Sequence, residues 1–255
     1  PDVGPPTAGQ AMVANTNGTA SSVTYDTTNG NKTSSIITGA LTVTAGSTSA
    51  INYSVLASGA TITSGAVSVP GSITLDNTYG TAGILVPASG YITTSNFATL
   101  ANTTGHGVTS AGVLAAGKGV VIKGVTYSAN HGVNFTGASI STTTGGISLT
   151  GTTNTGSGMY INNTATTVTA TNGDITFYGY ELVGNAALNI NSGAITATNG
   201  AIIMNGSATT GSFAFWSATS ANMTAKTGIT ITGNQTASTA NTIVALNASP
   251  LNVTG

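Results

Sequence analysis

The sequence contains no cysteine and no arginine, and only four lysines and five acidic residues carry charge. The absence of cysteine excludes a disulfide framework and any thiolate metal site. Phosphate neutralisation needs clusters of basic side chains, so a chain with a net charge of −1 and no arginine is not expected to bind nucleic acid. Typical soluble domains have about 25% charged residues, whereas this chain has 4%. Its surface must therefore be solvated through hydroxyl and amide groups, which respond little to pH or salt.

Long apolar runs are also missing. A transmembrane helix needs about 20 consecutive apolar residues, and because no such run occurs we expect no membrane insertion. The opening sequence PDVGPP lacks the basic and apolar regions of a signal peptide. If the protein is exported, we therefore expect this sequence to be the mature chain after signal removal.

The sequence does contain a repeat with a period of about 27 residues. It is visible as a glycine-flanked unit of alternating apolar residues, which occupies residues 119–124, 146–151, 173–179, 200–206 and 228–233. The unit closes on the evenly spaced glycines Gly124, Gly151, Gly179, Gly206 and Gly233. We predict that these glycines form sharp turns, where glycine tolerates positive φ. A fixed period of roughly 20 to 50 residues is typical of a solenoid.

Each repeat after about residue 105 contains three short segments of alternating apolar residues, which indicate strands with one buried face. Stacking equivalent strands about 4.8 Å apart buries side chains that one coil cannot bury alone. We therefore predict an all-β fold, a three-sided parallel β-solenoid with about 27 residues per coil. The predicted parts are an N-terminal arm over residues 1–34, irregular β coils or a cap over 35–104, and regular solenoid repeats over 105–255.

A family resemblance is found in two segments of the repeat, ASISTTTGGISLTG at residues 138–151 and GAITATNGAIIMNG at residues 193–206. They resemble the filamentous-haemagglutinin-like family of large secreted bacterial adhesins. The resemblance covers roughly residues 105–255. It implies a right-handed parallel β-helix, export from the cell, and a role in adhesion or surface architecture.

Two histidines are the only candidates for a metal site. His106 and His131 each precede a Gly-Val pair and are separated by about one coil. Two imidazoles stacked on one face of the solenoid would provide two ligands for a metal ion. Because no third ligand is visible, we favour an exposed histidine ladder and expect no metal or other cofactor.

Asp174 and Glu181 flank one glycine-bounded unit and raise the possibility of an enzyme. Parallel β-helices also host polysaccharide lyases and glycosidases, and glycoside hydrolysis needs two carboxylates at a defined separation. Five acidic residues scattered along a chain without arginine are a poor match to the active site of a lyase or of a glycosidase. We therefore predict that the protein is not an enzyme.

Threonines recur at matching positions of successive repeats. The aligned pairs are Ser141 and Thr143, Thr169 and Thr171, and Thr196 and Thr198, followed by Thr224. A flat array of this kind is similar to the ice-binding face of some β-solenoid antifreeze proteins. The simpler interpretation is a solvated threonine ladder, and Lys226 interrupts the array.

Eleven Asn-x-Ser/Thr sequons are present, and each is a glycosylation acceptor in a suitable secretory system. They begin at Asn17, Asn31, Asn52, Asn102, Asn134, Asn162, Asn205, Asn222, Asn234, Asn247 and Asn252. The composition of the chain, rich in Asn, Ser and Thr, explains most of this number.

When the repeats are aligned and stacked, four aromatic residues are predicted to lie near one another: Tyr160, Tyr178, Tyr180 and Trp216. Alternation predicts that Tyr160 and Tyr178 point outward. Exposed aromatic rings favour contact with sugar or with a neighbouring subunit. The alternative is that these rings pack against their own loops.

The two ends of a solenoid expose strand edges that must be capped or paired. We hypothesise that the N-terminal arm connects to the C-terminal end of another copy by strand pairing, since a head-to-tail contact that does not close makes a filament. The predicted function is an extracellular or cell-surface structural protein, an adhesin or a filament subunit whose partners are copies of itself. The alternatives are a module that binds ice or host or cell-surface glycans, and an enzyme acting on polysaccharides.

Overall fold

The computed structural model describes residues 107–127, 130–210, 213–217 and 220–236 as stretches, and thirteen shorter segments elsewhere. Those segments are 11–15, 22–25, 32–37, 40–43, 51–55, 61–64, 66–69, 73–76, 84–86, 91–94, 97–102, 244–246 and 251–254. The described residues are all-β, and their strands form three parallel sheets, here named A, B and C. Among them there is no helix with the length and apolar character to cross a membrane.

The strands are numbered in chain order and distributed over the sheets as follows. Sheet A contains β1 (Ala11–Asn15), β3 (Lys32–Ile37), β5 (Ile51–Val55), β8 (Ile73–Asp76), β11 (Phe97–Asn102), β14 (Gly119–Thr126), β17 (Ile147–Thr153), β20 (Ile175–Glu181), β23 (Ala201–Ala208) and β26 (Gly228–Gln235). Sheet B contains β2 (Ser22–Tyr25), β4 (Ala40–Val43), β6 (Thr61–Ser64), β9 (Ile84–Val86), β12 (Val108–Ser110), β15 (Val133–Phe135), β18 (Ser157–Ile161), β21 (Ala186–Ile190), β24 (Phe213–Ser217) and β27 (Val244–Leu246). Sheet C contains β7 (Ala66–Val69), β10 (Tyr91–Thr94), β13 (Val113–Ala116), β16 (Ser139–Thr142), β19 (Thr167–Ala170), β22 (Ser192–Ala197), β25 (Ser220–Ala225) and β28 (Leu251–Val253).

Each strand pairs with the equivalent strand of the next coil, so the predicted three-sided parallel β-solenoid is confirmed. In sheet A, Ile147 pairs with Ile175 and Ile175 pairs with Ile202, so each coil corresponds to one period of the sequence repeat. Stacked in this way, the glycine-bounded units of the repeat become the strands of sheet A.

Sheets A and B continue across both predicted boundaries, at residues 34 and 104. Ala11 of β1 pairs with Thr33 of β3, and Lys32 pairs with Ile51 of β5, so the coils here are shorter than those further along the chain. Among the described residues, the first strand of sheet C is β7. The division of the chain into an arm, irregular coils and regular repeats stays a prediction.

The core is a set of apolar columns between the three sheets. In strands such as β17 and β23, buried and half-buried residues alternate, as expected for one inward face. Phe135, Phe177 and Phe215 are the largest fully buried side chains together with Ile84. Because each side chain packs on its equivalents above and below, one core runs from Ile84 to Ala225.

The prediction that five glycines form turns is wrong. They lie within strands of sheet A: Gly124 in β14, Gly151 in β17, Gly179 in β20, Gly206 in β23 and Gly233 in β26. At Gly151 and Gly206 two backbones approach closely: a Cβ at Gly151 would collide with the carbonyl oxygen of Gly158, and one at Gly206 with that of Ala214. Positive φ angles occur at other glycines, for example 125° at Gly137.

Candidate functional site

The outer face of sheet A carries two columns of side chains on either side of the glycine column. Strand pairing places Thr150, Tyr178, Asn205 and Thr232 in one column, and Thr152, Tyr180, Ser207 and Asn234 in the other. The glycines between the columns lie at inward-facing positions against backbone of sheet B, so the strip between the columns on the outer face is strand backbone, a shallow floor.

A groove of about 310 Å³ lies over this floor, and we call it the tyrosine groove. It is lined by Thr150, Gly151, Tyr178, Gly179, Tyr180, Asn205, Gly206, Ser207, Thr232 and Asn234. These residues come from β17, β20, β23 and β26, so the groove runs along the solenoid axis, across neighbouring coils.

Tyr178 and Tyr180 are the prominent side chains of the groove. They are 46% and 40% exposed, so the outward orientation predicted for Tyr178 is confirmed. Both stand on β20, one on each side of Gly179. The coils on either side of β20 carry smaller residues at these positions, so the two rings rise above their surroundings.

The tyrosine groove has no charged lining residue. Glu181 follows Tyr180 but faces inward and is fully buried. Lys123 belongs to the same column as Thr150 but lies one coil further away, outside the lining. The surface of the groove is therefore uncharged, and almost all of it is apolar.

Asp174 and Glu181 do not form a catalytic pair. Asp174 immediately precedes β20 and Glu181 is its last residue. Their Cα atoms are about 23 Å apart at roughly 3.3 Å per residue, whereas glycosidase carboxylates are separated by about 5–10 Å. Asp174 Oδ1 accepts a hydrogen bond from the backbone N of Ala201 at 2.8 Å, which bridges two coils at a corner. That contact gives Asp174 a structural role.

His131 has structural partners on sheet B. Its Nδ1 accepts a hydrogen bond from the backbone N of Ser157 at 3.1 Å, and its ring stacks on Tyr160 with centroids 4.1 Å apart. Burial lowers the pKa of His131 below its usual value of 6.5. His106 lies outside the described residues, and within the described part no three His, Asp or Glu side chains form a group that could hold a metal ion.

The four aromatic residues do not form a single group. Tyr160 and Trp216 lie in one outward column of sheet B, with Asn189 between them, while Tyr178 and Tyr180 are on sheet A. Tyr160 is covered by His131, and Trp216 packs at 46° against Phe213 with centroids 4.4 Å apart. The sheet B rings thus pack on neighbouring residues, whereas the sheet A rings are open.

The predicted threonine ladder is present on the outer face of sheet C. Ser141, Thr169, Thr196 and Thr224 pair in register across four coils and are half-buried. The alignment is confirmed, and ice binding stays a prediction.

The sequons differ in accessibility. The asparagines of four of them are exposed: Asn162, Asn222, Asn234 and Asn252. Asn134 and Asn205 are half-buried, Asn52 and Asn102 lie on β5 and β11, and Asn17, Asn31 and Asn247 are outside the described residues. Asn205 and Asn234 line the tyrosine groove, so glycosylation at either would obstruct it.

Sequence reasoning found the two tyrosines but missed Asn205, Ser207, Thr232 and Asn234 as their neighbours. Aligning the repeats on the closing glycines would have shown them, because each flanks such a glycine. No protein family model, curated protein or solved structure matches the chain.

Proposed function

We propose that this chain is a structural protein of an extracellular surface, a β-solenoid adhesin or filament subunit. The observation that carries the proposal is the stacking of three parallel sheets around an apolar core, since this architecture extends in one direction only. The resemblance of residues 105–255 to secreted adhesins supports it. The very low content of charged residues also supports it, because such a surface responds little to pH or salt.

The last strand of sheet A supports end-to-end joining. Among the described strands, β26 has one sheet neighbour, β23. Its inward residues Ile229 and Ile231 are half-buried, whereas Ile202 and Met204, one coil earlier, are fully buried. A further coil stacked on β26 would cover these isoleucines and pair the strand edge.

Negative-stain electron microscopy of the 255-residue chain tests this proposal over a range of concentrations. We expect fibres that lengthen with concentration. The variant Ile231→Lys places a charge on the apolar end and should leave short single rods. Thr230→Lys is the matched control, because Thr230 is an exposed residue on the same strand, and its fibres should persist.

Circular dichroism must show that both variants keep the strand signal of the wild type. Single short rods of the wild-type chain at every concentration would contradict the filament. Fibres that survive removal of residues 1–34 would show that the arm is not the connector.

A further inference from the structure

We infer that the tyrosine groove binds an uncharged glycan chain lying along the solenoid axis. The inference specifies a ligand for the proposed surface protein, and it rests on that function for the source of the ligand. Four observations carry it: the spacing of the tyrosines, the apolar surface of the groove, the absence of charge and the nature of the floor.

The spacing of Tyr178 and Tyr180 matches the thickness of a sugar ring. Residues two apart on a strand are separated by about 7 Å. Carbon atoms in van der Waals contact are about 3.5–4.0 Å apart, so a ring held between two surfaces needs about 7–8 Å. A saturated sugar ring presents C–H groups on its faces, and these pack well on tyrosine rings. Gly179, between them in sequence, faces inward, so the two tyrosine side chains are neighbours on the outer face.

The rest of the groove suits the C–H faces of a sugar, because almost all of its surface is apolar. The side chains that line it, Asn205, Asn234, Thr150, Ser207 and Thr232, carry amide and hydroxyl groups. These groups are spread over four coils, or about 14 Å at the usual spacing of strands. That length accommodates a short oligosaccharide segment running from coil to coil.

The neutral lining selects among glycans. An acidic polysaccharide would lose hydration on entering a groove without a lysine or arginine to compensate for its carboxylates. A neutral chain carries no charge that has to be desolvated. The groove therefore fits unsubstituted hexose or N-acetylhexosamine polymers.

The floor of the groove disfavours an extended peptide. Peptides that join a sheet do so at an edge, where backbone groups are free. Gly151, Gly179 and Gly206 lie in the interior of sheet A, with paired strands on both sides. The recognition groups at this face are side chains, as a glycan requires.

Isothermal titration calorimetry of the full chain with cello-, chito- and maltooligosaccharides tests the inference. We expect one of these neutral probes to bind, and the Tyr178→Ala, Tyr180→Ala double variant to weaken binding by roughly tenfold or more. Tyr127→Ala is the matched control, because Tyr127 is 62% exposed and lies outside the groove. It should bind like the wild type.

A second pair of variants keeps the tyrosines and fills the groove. Ser207→Trp should abolish binding, whereas Ser148→Trp, on the same face of sheet A but outside the groove, should not. Binding of none of the neutral probes, stronger binding of a polyuronate, or equal binding by the double variant would overturn the inference. Side-by-side association of the rods that requires the tyrosines and ignores the sugars would also overturn it, by showing a second copy as the occupant.

Electron microscopy of the same variants separates this inference from the proposed filament. The double variant should form fibres like the wild type, because the groove is on the side of the rod and the joining surface is at its end. Loss of sugar binding with intact fibres supports the groove, and intact sugar binding without fibres contradicts only the filament.

Discussion

At the scale of single residues, the closing glycines of the repeat are explained by packing between backbones. The inner side of Gly151 faces the carbonyl oxygen of Gly158, at the start of the next strand of the same coil. Sheets A and B therefore meet at a corner where no side chain fits between them. Small residues on both sides, such as Gly206 and Ala214, repeat this contact in another coil.

The substitution Gly151→Ala should therefore destabilise the fold. We expect the free energy of unfolding to fall by about 1–3 kcal/mol, because the added methyl group pushes the two backbones apart. Urea denaturation measures the change. Thr152→Ala, on the outer face of the same strand, should change stability by about 0.5 kcal/mol or less. Equal effects of the two substitutions would refute this account of the glycine column.

His131 should make stability depend on pH. Its pKa is lowered in the folded protein by burial, so below pH 6.5, the usual value, the unfolded chain binds the proton more readily. The stabilising contribution is fully present above that pH and is lost as the pH falls through the folded pKa. Thermal denaturation between about pH 5 and 8 should show a decline on the acidic side, reduced in His131→Asn. An identical profile in the variant would assign the decline to other groups.

At the scale of elements, the strands of sheet A depend on their neighbours for burial. The side chain of Leu149 is fully buried between Ile122 and Phe177 of the adjacent coils. Its column is continuous, so a cavity in one strand removes contacts from the strands on both sides.

We expect Leu149→Ala to lower the free energy of unfolding by about 2–5 kcal/mol. Ser148→Ala is the control, since Ser148 is the preceding residue of β17 and faces outward. Denaturation of the two variants side by side gives the difference. Comparable losses would mean that the inner and outer faces of sheet A have been assigned incorrectly.

The strands of the fold were predictable from the sequence because the repeat is long and regular. Alternation around Ile175 and Phe177 identified a strand, and it placed Tyr178 on the outer face. The role of Gly179 was not predictable from the sequence. Two sheets approach each other only when the coil closes, and the alternation of apolar and polar residues does not reveal this approach. Tyr160 and Tyr178 were grouped wrongly because sequence proximity does not reveal which sheet a strand joins.

The same limit applies to the tyrosine groove. Its walls combine Tyr180 with Ser207 and Asn234, which are far apart in sequence and become neighbours only through strand register. Once the register is known, the groove follows from the residues on either side of each closing glycine.

At the scale of the whole molecule, the solenoid should behave as a stack of exchangeable coils. In repeat proteins each unit contacts only its neighbours. Ile147 and Ile175 are equivalent residues of adjacent coils, so deleting residues 147–174 removes one complete coil and joins matching positions.

We expect this deletion variant to fold, with a parallel β-sheet spectrum and cooperative unfolding. Deleting residues 147–160 instead joins positions that do not match, and this variant should aggregate or lack cooperative unfolding. Circular dichroism and size-exclusion chromatography compare the two. Similar behaviour would show that coil register does not control folding.

The described strands give the two ends of the stack different edges. Strands β26, β27 and β28 stand at one end, and β1 and β2 at the other. If copies join end to end, β26 of one copy would pair with β1 of the next and β27 with β2. Sheets A and B would then be continuous along the whole fibre, with the strand spacing of about 4.8 Å kept across each junction.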